Sequence, residues 1–207
     1  MKTLTKEMQS AITPSVALEI LKEGNKRFVS NLKINRNLLQ QANETSDGQH
    51  PFAVILSCID SRTSAELIFD QGLGDVFSVR IAGNIVNEDI LGSMEFGCKV
   101  AGAKIIVVLG HTKCGAVKGA CDNVALGNLT GLIAKIKPAV EQEAVTAENR
   151  NSSNGVFVEN VAELNVSLSV KNILLKSPII AEMVKNGDIG IVGGIHEIKT
   201  GEVKFFE

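Results

Sequence analysis

No window of the sequence approaches the roughly 18 consecutive apolar residues of a membrane-spanning helix. Residues 1–10 are polar and lack the apolar core of an export signal. The 21 basic and 23 acidic side chains nearly cancel, leaving a formal net charge of -2 with no long run of one sign. Nucleic acid and anionic membranes are therefore not expected partners, and small molecules or further copies of the chain are. None of the four cysteines forms a Cys-x-x-Cys pair, so the knuckles typical of structural zinc sites are missing. In a chain expected to stay in the cytoplasm, four cysteines argue for metal or reactive thiols rather than disulfides. There is no internal repeat and no low-complexity tract.

What remains is an ordinary globular composition. At 207 residues, 44% hydrophobic and 21% charged, the chain suits one domain with a substantial core. Thr13-Pro14 opens a helix, a capping hydroxyl followed by a proline suited to the first turn. Ala17, Ile20, Leu21, Gly24 and Phe28 continue it at helical spacing. Residues 35–50 are polar and weakly periodic, and read as a connection with at most a short helix. Residues 52–57 are a continuous apolar run of the kind buried on both faces of a sheet. Residues 76–79 and 105–109 give a second and a third strand, and residues 189–192 a fourth. Between them lie helical patterns after Thr63, Asn87, Cys114 and Pro178, and a long one carrying Phe157, Val161, Leu164 and Leu168. Thr200-Gly201 reads as a closing hairpin turn. The alternation predicts an α/β fold: a mostly parallel central sheet, helices on both faces and a C-terminal hairpin strand at the edge.

In such sheets ligands bind beyond the carboxyl ends of the strands. Cys58 follows the first strand, Asn84 the second, and His111 the third, with Cys114 three residues further on. Two thiols and an imidazole from two strand ends make a three-ligand set that selects zinc over magnesium or calcium. Three protein ligands leave a fourth position for water, the arrangement of a catalytic zinc. A fourth protein ligand would instead make the metal structural, and buried cysteines beside a structural histidine are the plain alternative. Asp60 and Arg62 lie two and four residues past Cys58. A carboxylate there can accept the proton of a metal-bound water, and an arginine fork can hold it ionised and aimed.

Cys58-Ile59-Asp60-Ser61-Arg62, followed some fifty residues later by His111-Thr112-Lys113-Cys114, resembles the β-class carbonic anhydrases. The resemblance spans most of the chain and is clearest from Pro51 to Gly119. It implies one Zn2+ per chain on Cys58, His111 and Cys114. It further implies reversible hydration of carbon dioxide to bicarbonate and a proton, by zinc-bound hydroxide that Asp60 and Arg62 orient. Gln49 matches the substrate-binding glutamine of the plant-like members. Gly115 follows the last ligand with its N–H free for a substrate or product oxygen. Phe77 and Ala82 match the apolar wall of the carbon dioxide pocket. The chain contains neither tryptophan nor tyrosine, so the family's second, regulatory bicarbonate site cannot form in its usual way. That absence agrees with Gln49 in pointing to the plant-like, open-site subgroup. A tyrosine that plant-like pockets often take from a neighbouring subunit is missing too.

The resemblance also implies a dimer or tetramer. A single domain of residues 1–207 is expected, with residues 1–34 as a helical arm whose helix packs on a neighbouring subunit. Cys98 reads as core and Cys121 as a helix residue; His50 and His196 are possible proton relays, and Lys113 is a solvated charge. Hydrolysis of carbon disulfide or carbonyl sulfide is a rival chemistry, and a zinc scaffold without turnover a rival role. Two anionic thiolates donate more charge to a metal than imidazoles do, which raises the pKa of its water. The rate of carbon dioxide hydration should therefore rise toward alkaline pH; a profile flat from acid to alkaline overturns this expectation.

Overall fold

A computed structural model describes residues 3–206. Met1, Lys2 and Glu207, the extremities of the expected arm and domain, lie outside the described residues. Five strands build one sheet: β1 (Ala53–Ser57), β2 (Val76–Arg80), β3 (Ile105–His111), β4 (Gly190–His196) and β5 (Val203–Phe205). Their order is β2-β1-β3-β4-β5. The first four run parallel, and β5 returns antiparallel to β4 through the Thr200-Gly201 turn. The α/β architecture and the edge hairpin are as the sequence predicts.

The helices are α1 (Lys6–Ala11), α2 (Pro14–Val29), α3 (Leu38–Glu44), α4 (Ala65–Ile68), α5 (Glu88–Glu95), α6 (Gly115–Cys121), α7 (Gly127–Ile133), α8 (Lys137–Gln142), α9 (Gly155–Lys176) and α10 (Pro178–Lys185). Side chains alternate across the strands. Val54, Leu56, Ile106 and Val108 face a core completed by Met94, Val117, Ala139, Phe157, Val161 and Ile180. Ala53, Ile55, Ile105, Val107 and Leu109 face a second core, closed by Ala17 and Leu21 of α2 and by Ala65 and Ile68 of α4. Every residue of β1 and β3 is buried, which is why both read as unbroken apolar runs.

Several helices carry the expected caps. Thr13 accepts from the Val16 N–H with Pro14 at the first turn, and Asn87 accepts from the Ile90 N–H. After α5 the chain continues as a π turn over Phe96–Val100, whose Gly97 sits against Val54 and Phe77. α1, capped by Thr5, and α7 and α8 were not foreseen; each has seven residues or fewer, too short to show a period. On α9 the buried stripe runs through Phe157, Val158, Val161, Ala162, Asn165, Val166, Ser169 and Ile173. Leu164 and Leu168 flank it half-buried, so two polar side chains occupy the centre that the sequence pattern gave to leucines.

The N-terminal segment is fastened to its own chain. Asp70, in a left-handed backbone conformation (φ 46°), accepts from Arg27 Nε at 2.6 Å, from Arg36 Nη1 at 2.5 Å and from the Ile34 N–H at 3.2 Å. Gly24 packs directly on the Phe69 carbonyl, and a Cβ there would fall inside that oxygen. Because the obstacle is backbone, α2 would have to lift from α4. Gly24→Ala should cost about 3 kcal/mol, read as a lowered denaturation midpoint; an unchanged midpoint would show that α2 is not seated on this core.

Candidate metal centre

Cys58 is the first residue past β1 and His111 the last of β3, neighbours because β1 and β3 pair in parallel with Ser57 opposite Leu109. After His111 the chain turns through Lys113, exposed and left-handed at φ 58°. That turn brings Cys114 back to the start of α6. A non-glycine residue in this region is strained by about 1–2 kcal/mol, and here the strain closes the His-x-x-Cys bite. The ligand atoms of Cys58, His111 and Cys114 all lie within 4.8 Å of one another, and all three residues are buried.

The donor set fits a tetrahedral, thiolate-loving ion. Two sulfurs on arms of about 2.3 Å at a tetrahedral angle stand about 3.8 Å apart, and Cys58 Sγ lies 4.0 Å from Cys114 Sγ. His111 Nδ1 is 2.9 Å from the Thr112 carbonyl. That carbonyl can only accept, so Nδ1 carries the proton and Nε2 presents a lone pair. Nε2 is buried without a hydrogen-bond partner, the orphan expected of a ligand nitrogen.

Charges around the set are uneven. Hydrogen bonding from the Cys114 thiol, followed by the His111 ring and the Gly83 and Asp60 N–H groups, outweighs burial and draws the Cys58 thiol far below its ordinary value. The adjacent Cys58 sulfur and burial push Cys114 up. Burial also raises Cys98 to about 12 and Cys121 to about 11; both are packed in the core and stand apart from the ligand group. His196 lies opposite His111 across the β3–β4 ladder. Burial, and then His111, lower it to about 4, which leaves a neutral ring beside the centre.

Asp60 Oδ2 is 4.0 Å from His111 Nε2. Arg62 holds Asp60 three times: Nε to Oδ1 at 2.9 Å, Nη2 to Oδ2 at 2.8 Å, and its backbone N–H to Oδ1 at 3.0 Å. The guanidinium keeps the carboxyl well below the usual carboxylate range. Ala82 opens the turn whose next residue, Gly83, donates its N–H to Cys58 Sγ at 3.3 Å. Gly115, exposed, has open space where a side chain would stand.

Two expected residues are not brought to the centre within one chain. Phe77 sits opposite Val54, four residues of strand before the level of Cys58, or about 13 Å; it packs edge-on against Phe96 instead. Gln49 is exposed and makes no hydrogen bond among the described residues. Others were missed. Arg80 Nε donates to the Cys58 carbonyl at 3.0 Å and Nη2 to the Asp60 carbonyl at 2.6 Å. Thr63 Oγ1 reaches the same two oxygens at 3.3 and 2.9 Å. Together they fix the turn that carries Cys58 and Asp60. Contacts to backbone carbonyls follow no residue spacing, so the sequence gives no sign of them.

A cysteine–histidine centre at the carboxyl edge of a parallel sheet defines a class of metalloprotein, and the comparisons with known proteins specify it. The family model described as carbonic anhydrase matches residues 53–203. Carbonic anhydrase 2 of Mycobacterium tuberculosis is 36% identical over 195 residues, covering 91% of this chain and 90% of that one. The crystal structure of the β-carbonic anhydrase CafA of Aspergillus fumigatus superposes with a TM-score of 0.73 at 26% identity, over 93% of this chain and 90% of that one. One of two tetrameric β-carbonic anhydrases of Sordaria macrospora gives a TM-score of 0.71 at 25% identity, over 81% and 89%. The chain belongs to the carbonic anhydrase family, in its β class, and is an enzyme of that family.

Because burial and the adjacent Cys58 sulfur push the Cys114 thiol up, its ligation as a thiolate should release a proton, and acid opposes it. One released proton is worth tenfold in apparent affinity per pH unit. Competition with a zinc chelator should therefore show binding about 100-fold weaker at pH 6 than at pH 8; equal binding at both would exclude Cys114 as a thiolate ligand.

Proposed function

We propose that the chain hydrates carbon dioxide reversibly to bicarbonate and a proton, with Zn2+ held by Cys58, His111 and Cys114. The observation that carries this reading is a buried two-thiol, one-imidazole set with an ionised carboxylate 4.0 Å from the histidine nitrogen. When bound, the ion would supply a Lewis acid that lowers the pKa of a water molecule at its open position. All else falls to the protein.

Asp60 is an acceptor and not a donor, because Arg62 occupies both of its oxygens and keeps it charged. Its remaining lone pairs accept a hydrogen bond from the attacking oxygen and so direct that oxygen's free lone pair at the substrate carbon. Arg80 and Thr63 hold the Cys58–Asp60 turn still, which keeps this orientation from being spent on loop motion. Ala82 gives an apolar wall suited to a neutral substrate, and the Gly115 N–H meets a substrate or product oxygen. A three-residue donor set with an ionised carboxylate beside it favours hydration over a scaffold role, since Asp60 and Arg62 would have no use in a scaffold.

Gln49 and Phe77 fit the proposal only as contributions to the site of a second copy. Self-association as a dimer or tetramer supplies that copy, and the Sordaria relatives are described as tetrameric. The inner stripe of α2 is used up by Ala17 and Leu21 on its own core, while Val16 and Val29 remain exposed for a neighbouring subunit. We take residues 1–207 as one domain with residues 1–34 as an arm, acting in the cytoplasm. Among the described residues no helix is long and apolar enough to cross a membrane.

The test is stopped-flow carbon dioxide hydration on protein of known zinc content, before and after chelation. Activity that follows the zinc supports the proposal; zinc near one per chain without activity from neutral to alkaline pH refutes it. Asp60→Asn should keep its zinc and lose at least about 10²-fold in kcat/KM. Unchanged turnover would remove Asp60 from the reaction.

A further inference from the structure

Asn165 is only 3% exposed and lies in the middle of the buried stripe of α9, among Val161, Ala162 and Val166. An amide in such a place is costly unless its polar atoms are answered. Its Nδ2 donates to the Gly83 carbonyl at 2.8 Å. One helical turn on, Ser169 Oγ donates to the Asn84 carbonyl at 3.3 Å. The two polar side chains of the stripe thus spend themselves on two consecutive carbonyls of one turn, between β2 and α5.

That turn is unusual in its backbone. Gly83 and Asn84 are both left-handed, at φ 67° and 43°. A side chain at Gly83 would collide with Ile136 and crowd Ala116. The peptide joining Gly83 to Asn84 is gripped at both ends, its oxygen by Asn165 and its N–H by the Ile81 carbonyl at 3.0 Å. On the other side of Gly83, its own N–H points at Cys58 Sγ, 3.3 Å away.

We propose that Asn165 is a positioning residue for the metal centre. Acting from α9 through the Gly83–Asn84 peptide, it holds the Gly83 N–H on the Cys58 thiolate and so sets how much charge that sulfur gives to the metal. Ser169 supports the same turn from the next helical turn. This rests on the metal reading above. An N–H hydrogen bond stabilises sulfur lone pairs, so loosening it raises their energy and makes the thiolate a stronger electron donor. Asn165 touches neither ligand nor substrate; its whole effect passes through backbone that the α9 stripe clamps in a strained form.

The experiment replaces zinc by cobalt(II) in the parent and in Asn165→Leu, which keeps the branched outline of the side chain and removes the donor. The parent should bind about one cobalt per chain and show a thiolate-to-cobalt charge-transfer band; its absence would overturn the metal reading and this inference with it. In the variant the band should move to longer wavelength. A band that stays in place, whatever the fall in melting temperature, makes Asn165 a packing residue only and overturns the proposal. If Asn165→Leu does not fold, Ser169→Ala tests the same turn: a smaller shift in the same direction supports the proposal, and an unmoved band refutes it.

Discussion

β1 and β3 lie side by side in parallel, Ser57 level with Leu109, and the Cys58, His111 and Cys114 cluster is built on that register. Because side chains alternate along a strand, a slip of one residue would send Cys58 to the wrong face of the sheet. The register is protected by burial: on both strands every side chain is inside, and each face is covered by its own core. Slippage would break two cores at once. The carboxyl edge of the sheet is therefore firmly determined, and Cys58 and His111 stand there.

From that edge outward, precision passes to groups that hold backbone. Arg80 and Thr63 take the carbonyls of the Cys58–Asp60 turn, and Asn165 and Ser169 those of Gly83 and Asn84. Cys114 is placed by a strained Lys113. Each loop at the sheet's edge is thus locked to an element of regular structure, and three short turns behave as one surface. The charges agree with this division. The ionised groups, Asp60 and the Cys58 sulfur, are those with donors aimed at them, while His196 is kept neutral by burial.

Strands were legible in the sequence because burial on both faces leaves an unbroken apolar signature. The grouping of Cys58, His111 and Cys114 was legible because metal-binding chemistry demands those side chains at those spacings. The supporting residues were not. Arg80 on an edge strand looks like any solvated charge, and Thr63 like any turn residue, until the carbonyls they hold are seen. Asn165 and Ser169 fall where the helical period of Phe157 and Val161 continues, yet Leu164 and Leu168 drew the pattern aside. Short helices such as α1 and α7 carry too few turns to show a period. Gln49 and Phe77 were legible only through resemblance, and a single chain gives them no partner at the centre.

The Asp70 knot changes what the N-terminal arm is. A carboxylate 2% exposed draws Arg27, Arg36 and the Ile34 N–H onto the far side of the sheet. Cutting away residues 1–34 would remove Arg27 and Ile34 and leave that charge to Arg36 alone. It would also strip Ala17 and Leu21 from the second core and leave α4 to cover that face of β1 and β3 without them. The arm is an appendage in outline and a wall in substance: a shortened chain would keep all three ligands in its sequence and lose the floor on which two of their strands are laid.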